Sequence, residues 1–237
     1  MEILNRQKED TSLIEDLSES HVSRRKFLRF SGIFGMSVAA IGSMSTMSGC
    51  KKNDGKDAIN LGSGDIGVLN YAYALEQLEA AFYTQVIQSQ YSGITAAETS
   101  YLTDIRDHEI AHREFLKAAL GGNAIGALQV DFSSINFASR AGVLGASKAF
   151  EDLGVSAYNG AGKLLTDANN LLFAGKIVSV EARHAALIRE LITPNSFAAS
   201  DVVNSNGLDL ARTPSEVLSI AATYLKSKLN ASNLPTA

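Results

Sequence analysis

Apolar residues recur at helical spacing through most of the chain beyond residue 64. Leu69, Ala72, Tyr73, Leu75, Ala80, Phe82, Tyr83, Val86 and Ile87 form one wide stripe. That stripe predicts a helix over residues 65–90, which Gly93 breaks. Thr95 and Glu98 make a capping box. It opens a second helix that carries Leu102, Ile105, Ile110, Phe115, Leu116 and Leu120 and stops at Gly121-Gly122. Residues 121–138 read as a long connection. A third helix is expected over residues 139–165 and a fourth over 167–192, closed by Pro194. Each is about 25 residues, or roughly 37 Å, long. Residues 193–212 show no period. Thr213-Pro214-Ser215-Glu216 is a second cap with Pro at the first helical position, opening a last short helix to about residue 229.

Short links make antiparallel hairpins of the first and second helices and of the third and fourth. The long middle connection can cross the end or the side of the bundle. The pattern predicts an all-α, antiparallel four-helix bundle over residues 65–192, with a tail over 193–237 whose short helix packs on the bundle. Composition agrees: three prolines, no tryptophan and 46% apolar residues favour helices and one sizeable core. The net charge of −4 offers no electrostatic footprint for nucleic acid. The single cysteine excludes an intramolecular disulfide.

The N-terminal part reads as an address. Ser23-Arg24-Arg25-Lys26-Phe27-Leu28-Arg29 resembles a bacterial twin-arginine export signal. A stretch of small and apolar residues follows over 30–47, too weakly hydrophobic for a transmembrane span. Met47-Ser48-Gly49-Cys50 resembles a lipoprotein cleavage box. These features predict removal of residues 1–49, lipidation of Cys50, and a periplasmic protein anchored to a membrane. Residues 50–64, rich in Lys, Asp, Asn and Gly, read as a flexible tether.

Candidate chemistry lies in the helices. Three histidines follow Cys50, and two of them sit three residues after a glutamate: Glu109-Ile110-Ala111-His112 and Glu181-Ala182-Arg183-His184. That spacing puts both side chains on one helix face. Carboxylate oxygen with imidazole nitrogen suits iron or manganese. Glu76 and Tyr83 are seven residues apart, as are Glu151 and Tyr158, so each pair also stacks on one face. Glu76 lies 33 residues before Glu109, and Glu151 lies 30 before Glu181. The chain therefore repeats a helical hairpin, and two such hairpins can face each other with six ligands at one height. The competing reading is a set of ordinary solvated helix residues. Glu79 competes with Glu76, although its counterpart in the second hairpin is Gly154. His108, three residues after Ile105, falls outside the ligand pattern and is expected to be exposed or to support a ligand from behind.

On these residues, the stretch Leu75-Glu76-Gln77-Leu78-Glu79-Ala80-Ala81-Phe82-Tyr83 included, the chain resembles the ferritin-like superfamily, in particular bacterial exported ferritin-like domains. That superfamily's di-iron and di-manganese sites use one Glu from each of two helices and Glu-x-x-His from each of the other two. The resemblance implies Glu76 and Glu151 as terminal carboxylates, Glu109 and Glu181 as bridging ones, and His112 and His184 as caps of one metal each. It makes Tyr83 and Tyr158 hydrogen-bond donors to the ligands. Two iron ions are the expected cofactor, two manganese ions the alternative. Ferroxidase, peroxidase or catalase-like chemistry on oxygen or peroxide is implied. The alternative is a non-enzymatic metal-binding or desiccation-associated bundle. A tethered monomer or homodimer is expected rather than a storage shell.

Overall fold

A computed structural model describes residues 58–236. The export signal, the lipidation of Cys50 and the tether as far as residue 57 lie outside the described residues. Four long helices carry the fold: α1 (Gly64–Gln88), α2 (Ala96–Leu120), α3 (Arg140–Ala161) and α4 (Ala168–Ile192). The Thr95 cap forms as expected: its side chain accepts the Glu98 N–H, while the Glu98 carboxylate accepts the Thr95 N–H at 3.0 Å. Helix α3 ends earlier than predicted, because Gly162–Leu164 tighten into a 3-10 turn.

Side-chain bonds fix the helix directions. Tyr83 in α1 donates to Glu151 in α3, and Tyr158 in α3 donates to Glu76 in α1, so these helices run antiparallel. Asp65 at the start of α1 accepts the backbone N–H groups of Thr166 and Asp167 at the start of α4. Arg140 at the start of α3 donates to Glu98 at the start of α2. The starts of α2 and α3 thus share one end, and the connection between them must travel the length of the bundle. It does so along the side of α1. Asn70 donates to the Asn123 carbonyl at 2.9 Å, Gln77 accepts the Leu128 N–H at 2.9 Å, and the rings of Phe82 and Phe132 meet edge to face at 5.8 Å.

Two apolar clusters fill the interior. The larger centres on Phe82, which is fully buried with Phe132, Phe137 and Phe150 around it. Each such ring contributes about 1.5–3 kcal/mol by leaving water. The smaller joins Leu69, Ala72, Tyr73, Leu116, Leu120, Tyr158 and Ile177.

The chain ends depart from expectation. Ala58–Asn60, assigned to the tether by sequence, form strand β1 and pair in parallel with β2 (Lys228–Asn230). Leu61, also in the expected tether, is fully buried. The last helix, α5 (Pro214–Ala221), stops well before residue 229, since the backbone of β2 bonds to β1 instead. Residues this far apart leave no local signal of such pairing. Helix α5 does pack on the bundle, burying Val217 and Ala221. The irregular segment over 193–212 straps the outer face of α3 and α4. Arg189, 3% exposed, binds Asp201 of the strap and Asp152 of α3, and the Arg212 N–H reaches the Ser156 carbonyl. Among the described residues no helix is long and apolar enough to cross a membrane.

Candidate metal centre

The helix faces read from the sequence converge at mid-bundle. Glu76 comes from α1, Glu109 and His112 from α2, Glu151 from α3, and Glu181 and His184 from α4. All four glutamates are 0% exposed, which rules out a solvated surface set. Their donor atoms form two overlapping groups, Glu76–Glu109–His112–Glu181 and Glu109–Glu151–Glu181–His184, each with its atoms within 4.8 Å of one another. Glu109 and Glu181 belong to both groups. Each imidazole approaches the opposite hairpin: His112 Nδ1 lies 2.9 Å from Glu181, and His184 Nδ1 lies 2.8 Å from Glu109.

These donors suit cations. Among the described residues ten buried polar side-chain atoms lack a hydrogen bond, and eight of them are Glu76 Oε2, Glu151 Oε2, both oxygens of Glu109 and Glu181, and Nδ1 of His112 and His184. The short imidazole–carboxylate approaches are close in distance yet lack hydrogen-bond alignment, so we read them as charge contacts among converging ligands. Ligands about 2.1 Å from one ion lie roughly 3.0–4.2 Å apart, which matches the clustering. Four carboxylates also balance two divalent cations. Left ionised and unpaired, such a buried set would be prohibitively costly.

Without a cation, protons must share the site. Burial, reinforced by the neighbouring carboxylates, pushes Glu181 well above the ordinary range. Burial lifts Glu109 to about 7, against the pull of His112 and His184. Burial would also raise Glu76, but His112, Glu109 and Tyr158 outweigh it and hold it below the usual value. For the histidines burial favours the neutral ring, and the carboxylates overcome this. They lift His184 to about 11, chiefly through Glu109 and Glu151, and His112 also upward, chiefly through Glu76.

The two tyrosines donate to carboxylates of the cluster, and they do so across the hairpins. Tyr83 donates to Glu151 at 2.5 Å and Tyr158 to Glu76 at 2.5 Å. Each thus serves the carboxylate of the other hairpin, not the one that stacks with it in sequence. Burial and these carboxylates raise both phenols well above their usual range, so they stay donors. Glu79 joins neither ligand group, yet it is buried beside them. A β-carbon at Gly154 would sit 3.0 Å from Glu79 Oε1 and 3.4 Å from Glu181 Oε2, so that glycine makes room for the extra carboxyl. Burial, reinforced by the surrounding glutamates, pushes the Glu79 carboxyl well above the ordinary carboxylate range.

A family model for a ferritin-like domain matches residues 64–194, from the first residue of α1 to just past the end of α4. The chain belongs to the ferritin-like domain family. In comparison with curated proteins it matches none. Within this ferritin-like domain the carboxylate–histidine cluster could hold metal, and all six of its members were visible as sequence spacing. His108, expected to be exposed or beside a ligand, is exposed and hydrogen-bonds to His184. Its place one turn before His112 gave no signal of which histidine it would reach.

Proposed function

We propose that this protein holds two metal ions, iron with manganese as the alternative, and uses them to oxidise metal or to consume oxygen or peroxide. The observation that carries the reading is the pair of donor groups sharing Glu109 and Glu181. Glu76 and His112 would complete one position, Glu151 and His184 the other. Bound iron or manganese would supply the electrons exchanged with the oxidant. The chain supplies the rest. Four buried carboxylates neutralise the charge, and Tyr83 and Tyr158 orient two of them. The apolar clusters exclude bulk water from the charges. Anaerobic loading of the full chain with Fe(II) or Mn(II), followed by metal analysis and oxidant-consumption assays, tests this. Two metals with rapid turnover are expected. Two metals without turnover would leave a binding protein, and none in a folded sample would overturn the reading.

We further propose export by the twin-arginine route and a lipid anchor on Cys50, supported by the order Arg24-Arg25, apolar stretch, Cys50. Cys50→Ser is expected to move the protein from the membrane to the soluble fraction.

A further inference from the structure

We infer that His108 is a positioning residue for His184, and that it makes the two metal positions unequal. The inference rests on the metal-centre reading above. His184 turns Nδ1 toward the carboxylates, 2.8 Å from Glu109 and 3.4 Å from Glu151. Its other nitrogen, Nε2, lies 2.9 Å from Nδ1 of His108. The two ring planes differ by only 8°, an orientation that lets an N–H on one ring point along the in-plane lone pair of the other.

Metal binding decides which ring donates. A neutral imidazole carries one N–H. With Nδ1 of His184 given to a metal, the hydrogen must sit on Nε2, which then donates to Nδ1 of His108. His108 in turn carries its own hydrogen on Nε2. The bond selects the ligating tautomer of His184, fixes the rotation of its ring and strengthens Nδ1 as a donor. Carboxylates and backbone carbonyls commonly serve metal-bound histidines in this way. Here the acceptor is a second imidazole on α2, reaching a ligand on α4.

The hairpin repeat breaks at this point. The offset that relates Glu109 to Glu181 and His112 to His184 places Val180 opposite His108. Valine cannot accept a hydrogen bond. Among the described residues the polar contacts of His112 are all made by Nδ1, to Glu76, Glu109 and Glu181, and none by its outer nitrogen. One histidine ligand is therefore held from behind, and its symmetry mate is not. The metal beside Glu151 and His184 is expected to bind more tightly than the one beside Glu76 and His112.

His108 is exposed, so its replacement should leave the core intact. The test is anaerobic Fe(II) titration of the full chain by calorimetry, with Mössbauer spectroscopy of the loaded protein. The wild type is expected to show two affinities. His108→Ala should weaken the tighter one about 10- to 100-fold, leave the other unchanged and alter the spectrum of one iron. His108→Asn places an amide oxygen where Nδ1 stood and should restore both affinity and spectrum. An alanine variant that matches the wild type overturns the inference. So does equal weakening of both sites, or an asparagine variant as weak as alanine. A wild-type chain that binds no iron overturns the metal-centre reading itself, an outcome distinct from the other three.

Discussion

The α1–α2 hairpin and the α3–α4 hairpin present the same donor side chains to the centre and differ in nearly everything behind them. Glu76 matches Glu151, Tyr83 matches Tyr158, and each Glu-x-x-His matches the other. Nearby core positions also correspond: Ile105 with Ile177, and Leu116 with Ile188, all buried. Beyond that layer the hairpins part. Glu79 faces Gly154, and His108 has Val180 as its counterpart. Buried Arg189, tied to the strap, corresponds to exposed Lys117. The outer side of α1 is covered by the long crossover, and that of α3 by the strap and α5. On the proposed function, two cations between four carboxylates would demand matched donors from both sides, whereas the packing behind needs only to be filled.

Removing ligands tests the matched part most severely. Glu109→Ala and Glu181→Ala each strike both donor groups, so each should remove both metals. His112→Ala should remove only the metal beside Glu76, and His184→Ala only the one beside Glu151. Each loss should exceed about 100-fold in affinity, beyond what supporting residues contribute. Metal analysis by mass spectrometry reads the stoichiometry, and a Glu109→Ala protein that keeps one metal would break the shared-carboxylate reading.

The unmatched part is probed next by stability. A β-carbon on Gly160 would run into the carbonyl of Arg212 in the strap. Gly160→Ala should therefore cost about 3 kcal/mol or more, because backbone must move. Its counterpart Gln85→Ala should stay within about 0.5 kcal/mol. Arg189→Met leaves Asp152 without its two bonds at 2.7 and 2.8 Å and should cost about 2–3 kcal/mol. Lys117→Met should change little. Urea unfolding measures all four, and equal losses in either pair would remove the asymmetry.

The crossed tyrosine bonds give a smaller effect. Tyr158→Phe should weaken the metal beside Glu76 about tenfold, and Tyr83→Phe the metal beside Glu151 by a similar factor. Both should leave the fold stable, since the rings remain. Calorimetric titration of the two variants would show whether each phenol serves the opposite hairpin.

The smallest effect lies where the hairpins meet at the α1 end. Hydrogen bonds from Asn170 and from Thr166 and Asp167 hold Asp65 well below the usual carboxylate range. A depressed folded value stabilises the protein above the unfolded value of about 3.9, and that stability is lost as pH falls toward the folded one. Asp65→Asn should cost about 1 kcal/mol near neutrality, comparable to a helix cap. The difference from wild type should shrink below about pH 4, as both are unfolded by urea at successive pH values.

The helices, their caps and the six side chains of the buried cluster were legible in the sequence because each depends on spacing within one helix. Thr95 with Glu98, Glu109 with His112 and Glu181 with His184 are neighbours in any helix. The all-α bundle followed from the periods, and the long crossover from its length. The β1–β2 pair was not legible, since its strands are three residues long and lie at opposite ends of the described chain.

What the sequence determined by itself is therefore the set of donors and the face of the helix each occupies. What only the tertiary structure decided is how those faces meet. The antiparallel run of α1 against α3 hands Tyr83 to Glu151 rather than Glu76. The depth of α2 against α4 brings His108 to His184, and the missing side chain of Gly154 admits Glu79. Local spacing is set by the covalent chain and the helical turn. Partners across helices are set by packing, which no periodicity in a single helix records.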